Sequence, residues 1–151
     1  MGRIEKSIVI KASPEKVWEM LALDRMPEWK ENCKSVTFTS EMHVPEDKYR
    51  VGATAHFVDQ HEHGPTTELM MTVADSLENE KITYRSSYSF VPRIDLTYGL
   101  ELVDKGTKLT CVADYSTRWG VLGQIIFKLM LMAGGNEVEK SLEKLKSILE
   151  K

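Results

Sequence analysis

Only two of the 151 residues are cysteine, Cys33 and Cys111. Two thiols do not build a disulfide scaffold, so a packed core must hold the chain. No basic stripe is visible either. Twenty Lys and Arg stand against 23 Asp and Glu, the formal net charge is −3, and both signs are scattered. A nucleic-acid partner is therefore not expected. Long apolar runs are missing. The richest, Val121 to Ala133, is interrupted by Gly123, Gln124 and Lys128 and is too short to span a bilayer, so stable membrane insertion is not expected. The first eleven residues carry Arg3, Glu5, Lys6 and Lys11 without an apolar signal segment, and a cytoplasmic location is the default expectation. No nucleophilic triad stands out, since Ser35 and Ser40 precede His43 at no recognised spacing. Linkers, repeats and low-complexity tracts are absent, and residues 1–151 read as one domain of ordinary size.

The patterns that are present alternate first and then turn helical. Ile4, Ile8 and Ile10 share a parity and predict a first strand. Ser13-Pro14-Glu15 then opens a helix: the serine caps free N–H groups, the proline suits the first helical position, and the glutamate faces the positive dipole end. Val17, Trp18, Met20 and Leu21 form its apolar stripe, and Asp24 to Met26 is expected to end it. A second short helical turn is expected at Pro27 to Lys30. From Lys34 to Trp119 the chain alternates: Val36 and Phe38; Ala53, Ala55 and Phe57; Leu69, Met71 and Val73; Ile82 to Phe90; Ile94 to Leu102; Leu109 to Tyr115. Turns are marked at Glu78 to Lys81 and at Asp104-Lys105-Gly106, where Gly106 is free to take positive φ. Such a series predicts an antiparallel meander with one buried face. From Val121 onward the period is helical, with Val138, Leu142, Leu145 and Leu149 spaced by threes and fours.

This order, with Ala12-Ser13-Pro14-Glu15-Lys16-Val17-Trp18-Glu19-Met20-Leu21, resembles the START-related helix-grip superfamily, and within it the polyketide cyclase/dehydrase and lipid-transport (SRPBCC) family. Pro27-Glu28-Trp29, Val51-Gly52 and Gly106-Thr107 fit the same pattern, and the likeness covers nearly the whole chain. It implies an α+β helix-grip fold: a curved antiparallel seven-stranded sheet wrapped around a long C-terminal helix, with two short helices after the first strand. The motifs are structural, so they imply fold more narrowly than function. Members bind lipids, polyketides, quinones, plant hormones or aromatic compounds, and some are cyclases or dehydratases.

A concave sheet covered by one helix leaves space for an apolar ligand, roughly 300–1,000 Å³ in typical sites. Parity points Phe38, Phe57, Met71, Tyr84, Tyr88, Tyr98, Cys111 and Tyr115 inward, with Trp29 near the mouth. The helix adds Leu122, Ile125, Ile126, Leu129 and Met130. All of these except Tyr115, Ile125 and Leu129 are predicted to touch the ligand. The same pattern also describes plain core, and the resemblance is what favours a cavity. Buried phenols need hydrogen-bond partners, and Tyr84, Tyr88 or Tyr98 has the chemistry of a general acid. Cys33 reads as the more exposed thiol, and Cys111 as a small hydrophobe. Arg85, Arg93, Asp95, Asp114 and Arg118 fall on outward parities and predict cross-strand pairs on the wet face. Asp59, His61 and His63 share a strand side, but ~6.6 Å between alternate residues is wide for one ion. No metal and no cofactor are expected.

Three functions follow in rank order. The first is binding or transport of a hydrophobic small molecule. The second is a cyclase or dehydratase using pocket tyrosines, and the third is a module docking an unknown protein partner. Gly134-Gly135 interrupts the last helix and suggests two jobs for it: a downstream clamp on the sheet and an upstream lid over the pocket.

Overall fold

The computed structural model describes residues 2–60, 66–86, 93–116, 120–133 and 137–151. Strand β1 (Gly2–Ile10) leads into helix α1 (Pro14–Met20) and a 3-10 helix (Leu23–Glu28). Six more strands follow: β2 (Cys33–Phe38), β3 (Thr54–Gln60), β4 (Thr66–Leu77), β5 (Lys81–Ser86), β6 (Arg93–Val103) and β7 (Gly106–Ser116). A second 3-10 helix, Pro45–Tyr49, lies between β2 and β3. Two helical segments close the chain, α2 (Gly120–Ala133) and α3 (Glu137–Leu149). All seven strands form one antiparallel sheet in the order β1-β7-β6-β5-β4-β3-β2. The expected Gly134-Gly135 lid hinge lies outside the described residues.

Local chemistry explains the elements. Ser13 Oγ accepts from the Lys16 N–H at 3.4 Å, and Pro14 is the first residue of α1. Val17, Trp18 and Met20 of α1 are buried, as is Leu21 just after it. The second helical turn starts earlier than the proline suggested. It opens at Leu23 and encloses Pro27, so Asp24 to Met26 lies inside it rather than ending α1. Leu23 and Met26, both buried, anchor that earlier start. Val51-Gly52 makes the turn into β3, with Gly52 at φ +96° and its N–H bonded to Val73 O at 2.9 Å. Gly106-Thr107 seats the end of β1. Gly106 takes φ +141° against the Ile10 backbone, and Thr107 Oγ1 donates to Ala12 O at 2.7 Å.

Of the outward residues, Arg85 pairs with Asp95 across β5 and β6 as parity implied, whereas Arg93 meets Asp95 along its own strand and Asp114 stands opposite Asp95 without a described ion pair. Arg85 Nε lies 2.8 Å from Asp95 Oδ1, and Arg93 Nη2 lies 2.9 Å from Asp95 Oδ2. The hydrogen bond from Arg85 holds the Asp95 carboxyl below its ordinary range. Arg118 lies outside the described residues.

Helix α3 packs against β1 and α1. Leu142 and Leu145 enter the core, as the downstream half of the predicted helix should. Three polar ties fix it along β1. Lys6 Nζ meets Glu139 at 2.9 Å, Lys146 Nζ donates to Val9 O at 2.7 Å, and the Lys11 N–H donates to Glu150 Oε2 at 2.9 Å.

Strand directions define two ends. One carries the Val103–Gly106 hairpin and the ends of β1 and β2. The other, called the mouth here, gathers the starts of β1, β2, β4 and β6 and the ends of β3, β5 and β7. Helix α2 begins four residues after Ser116, a span of at most ~14 Å, so it starts at the mouth.

Candidate functional site

The deep part of the concave face is solid. Trp29, Phe57, Met71 and Tyr84 are at most 1% exposed, so no water-sized gap adjoins them. Their polar atoms are already committed. Trp29 Nε1–H donates to Met20 O at 2.7 Å, and the Tyr84 hydroxyl donates to Leu21 O at 2.7 Å. Tyr98 sits edge-on to both, with ring centroids 5.9 Å from Trp29 and 6.3 Å from Tyr84. These positions correct the expectation that Trp29 stands at the mouth. Its indole belongs to the sealed core, because the turn from Leu23 to Lys30 folds inward over β2. Phe38 is partly buried against the same core.

Helix α2 departs from the predicted phase. Gly123 is buried and Ile126 half-buried, whereas Leu122 is 62% exposed, Ile125 52% and Leu129 58%. Leu122, Ile125 and Leu129 share one helix face at spacings of three and four, and Gly123 and Ile126 share another. Leu122 was therefore assigned to the wrong side. The helix is apolar nearly all round, so its sequence does not reveal which face turns in. The Tyr88 and Met130 side chains, His61 and His63 lie outside the described residues.

Toward the mouth the interior becomes polar. Cys33 and Asp59 are cross-strand partners on β2 and β3, and Tyr98 and Cys111 are partners on β6 and β7. A register shift between Cys33 and Ser35 turns Cys33 inward, and it is buried rather than exposed as its sequence suggested. Burial pushes its thiol up to about 11, an effect that Lys30 partly offsets. Burial likewise pushes the Cys111 thiol up to about 11, again against Lys30. The Tyr98 phenol is hydrogen-bonded to the Cys111 sulfur, and burial raises Tyr98 and Tyr84 well above the ordinary phenol range. None of these four groups ionises near neutrality, so none is a nucleophile or a ready acid there.

Lys30 and Asp59 are the charged members of this region. Lys30 Nζ lies 5.5 Å from the centre of the Phe57 ring, a cation–π contact. Asp59 follows Phe57 on the same side of β3, and its Oδ1 is sealed from solvent without a hydrogen-bond partner. In the sequence, Asp59 stands out only as a possible metal ligand, and Lys30 carries no site signal of its own. The one available signal was the Trp29-Lys30 step, which puts a cation beside a core indole. Among the described residues, no cluster of three metal-ligating side chains occurs. A hollow of about 800 Å³ lies at the end opposite the mouth, bordered by Trp18, Tyr49 and charged side chains such as Glu15, Arg25 and Lys48.

The thiols make a direct prediction. In the folded protein a chromogenic disulfide reagent should leave Cys33 and Cys111 unreacted at pH 7.5, and both should react in denaturant. The fold should also lose stability as pH rises from about 9 towards 11. The unfolded chain gives up thiol protons above its ordinary 9.0, and the folded chain keeps them until about 11. Prompt labelling of the native protein would contradict the burial.

Sheet, helices and apolar interior define the helix-grip class. The model of the family described as polyketide cyclase / dehydrase and lipid transport matches residues 1–150, and the chain belongs to that family. Several solved structures share the fold. The di-domain ARO/CYC StfQ from the steffimycin biosynthetic pathway is 12% identical with a TM-score of 0.77, over 98% of this chain and 50% of that one. A START superfamily protein from Mycobacterium smegmatis is 16% identical with a TM-score of 0.73, over 98% and 97%. Protein CV1439 from Chromobacterium violaceum is 17% identical with a TM-score of 0.70, over 100% and 99%. At these identities the likeness concerns fold. No curated protein matches the chain. Among the described residues, no helix is long and apolar enough to cross a membrane.

Proposed function

We propose that the protein binds a hydrophobic small molecule, a lipid, polyketide, quinone or aromatic compound, at the mouth of the sheet against the exposed apolar face of α2. The observation that carries this reading is the apolar surface left uncovered there. Leu122, Ile125 and Leu129 stay more than half exposed on α2. Uncovered apolar surface of this kind marks a place where something binds. Membership of a family named for polyketide and lipid ligands supports the same reading. The ligand would reach Tyr98, Cys111, Phe57 or Tyr84, all of them buried, only if the interior opened. A binder ranks above a tyrosine-driven cyclase because the Tyr84 proton is held by Leu21 O and burial raises both phenols well above the ordinary range.

Native mass spectrometry of the purified protein, followed by solvent extraction, tests this. The expected result is a co-purified apolar molecule, or saturable uptake of an added fluorescent apolar probe with protection of α2 from hydrogen exchange. An empty protein that takes up no probe would overturn the reading.

A further inference from the structure

Asp59 Oδ1 is the one buried side-chain oxygen or nitrogen without a hydrogen-bond partner among the described residues. A carboxylate oxygen sealed from water and left unpaired is destabilising, and such a group calls for a donor. Among the described residues none is offered. Neighbouring Cys33 is a weak donor, and the proton of Tyr98 is held by Cys111. Lys30 does not serve either. Among the described residues no ion pair joins it to Asp59 or to any other carboxylate, and its ammonium lies over Phe57. Yet both residues are tied to Cys33: its N–H donates to Lys30 O at 3.3 Å, and Asp59 is its cross-strand partner. Among the described residues, an acceptor lacking a donor thus stands with a cation lacking a carboxylate, on the mouth side of Phe57.

We infer that this pair anchors the hydroxyl group of an apolar alcohol or phenol, which donates to Asp59 Oδ1 and accepts from Lys30 Nζ. The inference rests on the binding reading above and narrows it. The ligand carries a free hydroxyl at the end that enters, and its apolar body lies against α2. A hydroxyl fits both partners at once because it has one proton to give and lone pairs to receive with. A methyl ether of the same shape has no proton for Asp59 and leaves that oxygen unpaired, which is how a polar site rejects a near-isostere.

Fluorescence titration with 2-naphthol and 2-methoxynaphthalene tests the anchor. The wild-type protein should bind naphthol about tenfold or more tighter than the ether, as expected for one hydrogen bond to a charged group. Asp59→Leu should bind both alike, with affinity for the ether unchanged, and should melt at or above the wild-type temperature. Asp59→Asn, which keeps a neutral acceptor, should retain part of the preference, and Lys30→Met should narrow it. Equal binding of both probes by the wild-type protein would overturn the anchor and leave the binding reading intact. So would an undiminished preference in Asp59→Leu or, if that variant does not fold, in Asp59→Asn together with Lys30→Met. Binding of neither probe would remove the binding reading and the anchor with it.

Discussion

Trp29→Ala is expected to destabilise the fold by about 3–5 kcal/mol, read as a lower urea midpoint with little change in slope. The indole is 1% exposed, packs edge-on to Tyr98 with centroids 5.9 Å apart, and donates to Met20 O at 2.7 Å. Alanine leaves a cavity where the ring was and an unpaired carbonyl beside it. Trp29→Phe separates the two effects. It refills most of the space but leaves Met20 O without its donor, an expected loss of about 1–3 kcal/mol. A small domain has only about 5–15 kcal/mol in total, so the alanine variant loses a large part of its reserve. Lys30 is the next residue, and its ammonium is placed by the same turn. Probe affinity at the mouth should therefore fall in Trp29→Ala even where the protein stays folded. Wild-type stability in Trp29→Ala would show that the indole is not packed as described.

Gly106→Ala should be nearly as damaging, although it adds a single methyl group. A Cβ at this position would stand 2.1 Å from Ile10 O and 3.0 Å from both Ile10 C and Lys11 Cα. All three atoms are backbone, so no side-chain rotation relieves the clash. The φ of +141° adds strain that L-residues avoid. Backbone strain alone accounts for up to about 3 kcal/mol, and displacement of the β1 end comes on top of it. Part of the loss should appear as faster hydrogen exchange at Ile10 and Ala12, since the Thr107–Ala12 hydrogen bond depends on the same approach. Gly99→Ala in β6 is the control. Nothing lies within 4 Å of its would-be Cβ, and the change should stay within about 0.5 kcal/mol. Equal effects at the two glycines would refute the steric account.

Both variants concern features whose outlines stood in the sequence. Gly106 was marked as a positive-φ turn, and the Ser13-Pro14 step as a helix start, because each depends on a few adjacent residues. The strands were equally legible. Alternation at Ala53 to Phe57, Leu69 to Val73 and Leu109 to Tyr115 reports the two-residue period of a sheet with one buried face. Short turns between them left antiparallel neighbours as the simple solution. The pairing of β1 with β7 closes the order across more than a hundred residues, and no local signal carries it.

The site was less legible, for three physical reasons. Parity tells inside from outside but not wall from filling, so Phe57, Met71 and Tyr84 were read as lining although they pack solidly. A helix as apolar as α2 has only Gln124 and Lys128 to fix its rotation, too little to tell Leu122 from Ile126. Lys30 sits in a turn with no period, and Asp59 on a strand reached through a different part of the chain. The sequence by itself determined the elements and their buried faces, because helix and strand periods and turn residues act over short distances. Only the tertiary structure decided which side chains fill the interior. It also decided that the Lys30 cation and the unpaired Asp59 oxygen flank one thiol, because that depends on a cross-strand register and a bulge at Cys33.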